Sequence, residues 1–389
     1  MAKRSVCVVI TARASYSRVK SVLASLHARR DVNLQIIAAA SALVARTGRI
    51  VDIIRKDGFT VDAEVASLVE GDSAANMVKT TATTMLELPG VFARLQPDVV
   101  VAIADRYETI ATSIAASYMR IPVAHLQGGE VTGNIDERVR HANTKLADIH
   151  LVATETARRR VLSMGERTDR VFLTGCPSVD LARDITPSTE LGFDPFAKYG
   201  GVGDRLDLGG GYLVVLQHPV TSEVEGARSQ VTATLEAVVS TGLPTLWFWP
   251  NVDAGADQTS KAIRSFRENR DAANLHFFKN MEPVEFLRLI NNAKVFVGNS
   301  SVGVREAGFL GVPVVNIGTR QDGRERSPNV VDCGYQRHEI ETAIRAQIQH
   351  GRYPRDFLYG NGSSGDRIAE LLATVELTSD KKFFDHKNW

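Results

Sequence analysis

Residues 98–130 read DVVVAIADRYETIATSIAASYMRIPVAHLQGGE. The run Val99 to Ala104 is apolar without polar alternation, so it predicts a strand buried on both faces. Helical patterning follows over Ile110–Ser117, and Pro122–Leu126 repeats the apolar run. Strand, helix and strand in this order imply a parallel sheet covered by helices on both sides. The same alternation extends outward. Upstream lie strands Val6–Ile10 and Leu34–Ala39, and downstream Ile149–Val152 and Val171–Thr174. Helices are predicted over Arg18–His27, Ile50–Lys56, Ala74–Met85, Asp136–Ala147 and Thr156–Met164.

The pattern then breaks over residues 185–211, where Pro187, Pro195 and six glycines between Gly200 and Gly211 fall. No strand feeds these glycines, so a linker is expected rather than a phosphate loop. Beyond it strands resume at Tyr212–Gln217, Thr245–Phe248, Leu275–Phe278, Val295–Val297 and Val312–Asn316. Helices are expected around Val224–Ser240, Gln258–Glu268, Pro283–Asn291, Val302–Gly308 and His338–Gln349. The expected organisation is an α/β chain with two Rossmann-like doubly wound domains, 1–184 and 212–365. A linker of 185–211 joins them, and a C-terminal helix and tail, 366–389, pack back on the body. A ligand crevice is expected between the domains, at the carboxyl ends of the strands.

Composition narrows the function classes. The 389 residues are 44% hydrophobic and 23% charged, enough for a sizeable core. No apolar run is long enough to cross a bilayer, and the N-terminal MAKRSVCVVITAR reads as a first strand rather than a leader. Lys plus Arg total 46 against 45 for Asp plus Glu, which argues against nucleic acid or membrane as partner. Cys7, Cys176 and Cys333 lack metal-ligand spacing. A soluble, cytoplasmic protein is expected.

Chemistry-bearing residues collect at strand exits. The first strand runs into Thr11 to Ser17, with a helix expected to begin near Ser17; Arg13 beside free N–H groups suits a phosphate. A plain cap with a surface arginine fits that segment equally well. Asp105 and Arg106 follow Ala104, and Asp105 is either a helix cap or a catalytic carboxylate. The next strand ends in Gln127, Gly128, Gly129 and Glu130, ahead of a helix carrying Asp136, Glu137, Arg140, His141 and Lys145. In the second half His218 sits at a strand exit before Pro219, where a histidine can neutralise a phosphate or relay a proton. The segment GNSSVGVRE, 298–306, places Ser300 and Ser301 at a helix start, with Glu306 able to accept from a ribose and Arg320 nearby. Phosphate donors, a ribose acceptor and arginines around one cleft describe a nucleotide-diphosphate site.

HLQGGEVTGNIDERVRHANTKLADIH, LQHPVTSE, FWPNVDAGA and GNSSVGVREAGFLGVPVVNIGTRQDGRE closely resemble the hydrolysing UDP-N-acetylglucosamine 2-epimerases of sialic-acid biosynthesis. The likeness is collinear from Arg13 to about Tyr359. It implies a glycosyltransferase-B fold, a homodimer or homotetramer, a UDP-sugar substrate and no metal or organic cofactor. It further implies elimination of UDP to a glycal, then water addition with reprotonation of C2 on the opposite face, releasing N-acetylmannosamine. By resemblance Arg13, Ser17, His218, Ser300, Ser301 and Arg320 hold the diphosphate and its surroundings, and Glu306 the ribose. Asp105 and Asp136 match acids assigned to proton transfer. Arg106, Glu130, Arg140, His141 and Asn251 complete the substrate-binding candidates, and Gln127 and His218 join the catalytic set.

The chain departs from the family at three places. Gln127 stands where the family's HIEGG has a catalytic glutamate, Ser15 where it has aspartate, and Ala40 and Ala42 flank Ser41 where relatives read Gly-Ser-His. Glutamine cannot take up a proton. Two other readings therefore stay open at this point: a glycosidic-bond hydrolase that leaves C2 untouched, and a non-catalytic nucleotide-sugar-binding homologue.

Overall fold

The computed structural model describes residues 3–385 except 46–47, 72, 133–134, 186–189, 221, 251–255 and 270–271. It divides into two compact units: Met1–Val131, Ile135–Asp180 and Tyr359–Trp389 form the first, Thr132–Asn134 and Leu181–Leu358 the second.

The first unit is built on a seven-stranded sheet: β1 (Arg4–Ile10), β2 (Val32–Ala39), β3 (Ala63–Val65), β4 (Val99–Ile103), β5 (Val123–Leu126), β6 (Ile149–Val152) and β7 (Val171–Leu173). Every pairing is parallel, in the order β3-β2-β1-β4-β5-β6-β7. Continuous apolar strands fit because both faces are covered. Val6, Val8 and Ile10 of β1 enter one apolar cluster, while Cys7 and Val9 enter the other. β4 divides the same way, with Val99, Val101 and Ile103 on one side and Val100 and Ala102 on the other.

The second unit has six parallel strands: β8 (Leu213–Leu216), β9 (Thr245–Phe248), β10 (Leu275–Phe278), β11 (Val295–Gly298), β12 (Val314–Ile317) and β13 (Val330–Cys333). Their order is β10-β9-β8-β11-β12-β13. Both sheets reverse direction of growth once, between β1 and β4 and between β8 and β11. At such a switch point two strands send their following loops apart and leave room for a ligand.

Several elements differ from the sequence expectation. The first helix spans Arg13–His27, so Arg13 lies in its first turn rather than ahead of it. Its cap, Ala12, makes no side-chain hydrogen bond, which removes the usual start signal. The expected Val302–Gly308 helix is two short pieces, Ser301–Val304 and Glu306–Leu310, broken at Arg305 (φ −101°, ψ −72°). Glu306 therefore opens the second piece instead of lying one turn inside a single helix. The expected linker segment holds a helical turn, Pro195–Tyr199, capped by Asp194, and Val202 bridges to Phe277. A helix over Ser364–Thr374 packs its Ile368 and Leu372 into the cluster of the Arg13–His27 helix. Asp180 accepts from the Ser364 and Gly365 amides at 2.9 and 2.7 Å and so caps that helix. No helix among the described residues is long and apolar enough to cross a membrane.

Candidate functional site

In the first unit, β1 and β4 meet at the switch point and lead into Thr11–Arg13 and Ala104–Asp105. Ala104 takes a left-handed backbone, φ 56°. Its carbonyl is held by two donors, His125 Nε2 at 2.9 Å and Asn143 Nδ2 at 3.4 Å. His125 is fully buried, and burial outweighs its carbonyl bond and pushes its pKa down to about 3. The neutral ring donates through Nε2, so its bare Nδ1 faces the Thr144 hydroxyl at 3.1 Å, a hydroxyl that also reaches the Arg140 carbonyl at 3.1 Å. This brace fixes the backbone immediately before Asp105.

Asp105 itself is 5% exposed and lies between two guanidiniums. Arg18 Nη1 reaches Oδ1 at 3.1 Å, and Arg140 Nη2 donates to Oδ2. Arg140, 1% exposed, also donates to the Glu130 carbonyl at 2.6 Å. The helix Ile135–Leu146 carrying Arg140 is thereby tied to both strand exits, and it presents half-buried Asp136 in its first turn. Glu130 is buried.

Gln127, at the end of β5, is also left-handed, φ 64°. Its amide nitrogen donates to Cys176 Sγ at 2.9 Å, and the thiol meets the Ser178 hydroxyl at 3.0 Å. Its Oε1 is buried without a hydrogen-bond partner among the described residues. Gly129 (φ 79°) must be glycine, because a Cβ there would strike the Ala157 carbonyl. His141 pairs with Glu137 at 3.5 Å, and burial lowers its pKa below the usual value.

Other candidates are occupied locally. Arg106 Nε donates to the fully buried Glu108 at 2.8 Å, and the Ser17 hydroxyl donates to the Arg13 carbonyl at 3.2 Å. Ser15 is buried with its hydroxyl 3.4 Å from that of Thr11. Where the resemblance implies a histidine, Ala42 packs into the apolar cluster. Asn251 lies outside the described residues.

In the second unit, β8 and β11 lead into His218 and Asn299, which clasp each other. The His218 amide donates to Asn299 Oδ1 at 2.7 Å, and Asn299 Nδ2 donates to the His218 carbonyl at 2.8 Å. Gly298 (φ 134°) permits the approach, since a Cβ there would meet the Leu216 carbonyl. The Asn299 carbonyl accepts from Arg320 Nη1 at 3.1 Å and Gln321 Nε2 at 2.8 Å. Arg320 is thus fixed beside the turn that carries Ser300 and Ser301. Both serines are half-buried, and Ser300 makes no side-chain cap hydrogen bond. Burial, with the Arg320 charge, holds the His218 pKa well below the ordinary histidine value. The ring is therefore neutral near pH 7 and offers a hydrogen bond rather than a charge. Glu306 is half-buried on the short helix that follows.

The structure brings Asp105, Glu130 and Arg140 together in one unit and His218, Arg320 and the two-serine turn in the other. Residues the sequence did not single out complete each group: Arg18, Asn143 and Cys176 in the first, Asn299 and Glu223 in the second. Glu223 accepts from Tyr335 at 2.7 Å, Gln230 at 2.8 Å and Thr319, anchoring the loop just before Arg320. A buried polar residue inside an apolar strand, as at His125, is the one local signal that was available. Among the described residues no group of three or more His, Cys, Asp or Glu is placed to hold a metal.

Burial of these histidines gives a pH prediction. A histidine whose folded pKa is depressed favours folding while neutral, and that stability is lost as acid protonates the unfolded chain. For His125 the loss begins near the unfolded value of about 6.5 and continues towards about 3; His218 and His150 act in the same direction. Denaturant midpoints measured from pH 7.5 to 4 should fall steadily below about 6.5. A flat profile would show that His125 is not buried as a neutral ring.

A sequence model of the family described as UDP-N-acetylglucosamine 2-epimerase matches residues 24–373. The UDP-N,N'-diacetylbacillosamine 2-epimerase (hydrolyzing) of Legionella pneumophila is 33% identical, over 97% of each chain. The UDP-N-acetylglucosamine 2-epimerase of Neisseria meningitidis is 27% identical, over 98% of this chain and 99% of that one. Among solved structures, the Methanocaldococcus jannaschii UDP-GlcNAc 2-epimerase in complex with UDP-GlcNAc and UDP has a TM-score of 0.77 at 19% identity, covering 95% of this chain and 99% of that one.

Proposed function

The chain belongs to the UDP-N-acetylglucosamine 2-epimerase family, and from that premise we propose that it hydrolyses a UDP-linked N-acetylated sugar with inversion at C2. The observation that carries this reading is the buried Asp105, gripped by Arg18 and Arg140, with Arg140 on the same helix as Asp136. Two carboxylates on elements locked together can remove a proton from one carbon and return one to it.

In this reading the anomeric C–O bond breaks as the C2 proton leaves, giving UDP and a glycal. Water then adds at C1 while C2 is protonated from the opposite face. Asp105 and Asp136 handle the proton transfers, and Gln127, unable to exchange a proton, hydrogen-bonds at the sugar end. Arg13, Arg320, Ser300 and Ser301 receive the departing diphosphate, fixed donors being most effective where charge develops. Neutral His218 adds an N–H donor, and Glu306 accepts from the ribose hydroxyls. Acetamido sugars on UDP are the proposed substrates, because the relatives matched over nearly the full chain are named for such compounds.

Incubation with UDP-N-acetylglucosamine and UDP-N,N'-diacetylbacillosamine in heavy water tests the proposal. The expected result is UDP release from at least one of them, with one deuterium at C2 of the freed sugar. UDP release without deuterium would mean hydrolysis without epimerisation; no release from either would remove the enzyme reading.

Gln127→Glu provides a sharper check on the departure. At 1% exposure and facing the Cys176 thiol, a glutamate would be driven towards its neutral form by burial. It would then be no base near pH 7. The expected change in UDP release is less than about 10-fold, against the ~10²–10⁴-fold gain that a newly positioned base supplies. A gain in that larger range would show that glutamine disables inherited chemistry.

A further inference from the structure

The helix Ile135–Leu146 ends with carbonyls that have no partner further along the helix. They are met from a segment more than 230 residues away in sequence: Lys381 Nζ donates to the Thr144 carbonyl at 3.1 Å and to the Ala147 carbonyl. A cation at this end also suits the helix dipole. The same ammonium pairs with Glu166 Oε2 at 2.7 Å. Glu166 in turn takes Lys145 at 2.6 Å and His150 at 2.9 Å. Burial alone would raise the Glu166 pKa, but these donors overcome it and hold it at about 2. Two further contacts seat the tail. The Phe384 amide donates to the Gly165 carbonyl at 3.0 Å, and the Phe383 ring lies against Gly165 with Lys145 Nζ 5.2 Å above it.

The turn that Lys381 grips is the one that braces the carboxylates. Asn143 and Thr144 belong to it, and through them the Ala104 carbonyl is held, directly by Asn143 and through His125 by Thr144. Asp105 is the next residue, and Arg140, one turn before, binds its carboxylate. We propose that Lys381 is a positioning residue: it locks the last turn of this helix and so sets the placement of Asp105, Arg140 and Asp136. The C-terminal tail is then part of the catalytic apparatus without touching substrate. The proposal rests on the function assigned above.

The test compares wild type, Lys381→Met and Lys381→Arg, each as the 389-residue chain. UDP release, UDP affinity by calorimetry, thermal melting and amide hydrogen exchange over residues 140–147 are measured for each. Lys381→Met should lower kcat by about 10–10²-fold, the scale of a small misplacement of reacting groups. KM and UDP affinity should hold, and exchange over 140–147 should rise. Lys381→Arg should restore most of the rate. A Lys381→Met protein that melts earlier but keeps its kcat overturns the proposal, because the contact is then only structural. If the methionine variant does not fold, Lys381→Gln is read by the same criteria. Should wild type release no UDP from any sugar, the functional reading fails, while unchanged exchange over 140–147 in the variant would separately overturn the brace.

Discussion

Asp105→Asn is expected to slow UDP release by about 10²–10⁴-fold, the usual loss when a positioned acid or base is removed. The size of the effect follows from how firmly the side chain is held. Two guanidiniums from different elements grip its two oxygens, and the preceding carbonyl is clamped by His125 and Asn143. Asparagine keeps the shape but turns an N–H₂ towards one guanidinium, so stability is lost as well. The measurement is therefore kcat on the folded fraction, with UDP affinity as control. A variant that retains full turnover would exclude Asp105 from the chemistry.

Arg140→Met should have the largest effect on folding, about 3–5 kcal/mol, the range for breaking a buried ion pair from one side. Domains of this kind have only about 5–15 kcal/mol to lose. Arg140 is 1% exposed and Asp105 5%, so water cannot replace the missing partner. The Glu130 carbonyl loses its donor in the same step. Urea unfolding of the variant beside wild type would decide this; a loss under about 1 kcal/mol, as for an exposed pair, would contradict the burial argument.

The fold was legible wherever strands are central. β4 and β8 are short unbroken apolar runs, and β5, β6 and β9 differ by one polar residue each, His125, His150 and Thr245, so their positions follow from the apolar pattern. The two missed strands lie at sheet edges. β3 is three residues with Glu64 at its centre, and β13 carries Asp332, because an edge strand is covered less and keeps polar residues. The first helix was placed late because Ala12 caps nothing, whereas Ser15 and Ser17, the residues that resemble caps, fall inside it.

The candidate site was legible as strand exits and no further. Asp105, Gln127 and His218 all follow strands that pattern alone locates. Their partners come from elsewhere. Arg18 is 87 residues from Asp105, Cys176 is 49 from Gln127, and Asn299 is 81 from His218. No spacing rule connects such pairs, because sheet order rather than sequence order brings them together.

Ala104 and Gln127 both hold a left-handed backbone with a side chain attached, at a conformational penalty of roughly 1–2 kcal/mol each. At 104 glycine would relieve that penalty for the loss of one methyl group, but it would also loosen the backbone ahead of Asp105; at 127 it would remove the buried amide that donates to Cys176. Selection of this chain for heat tolerance should therefore favour glycine at 104 and keep glutamine at 127, and the survivors should be hardier but more sluggish catalysts.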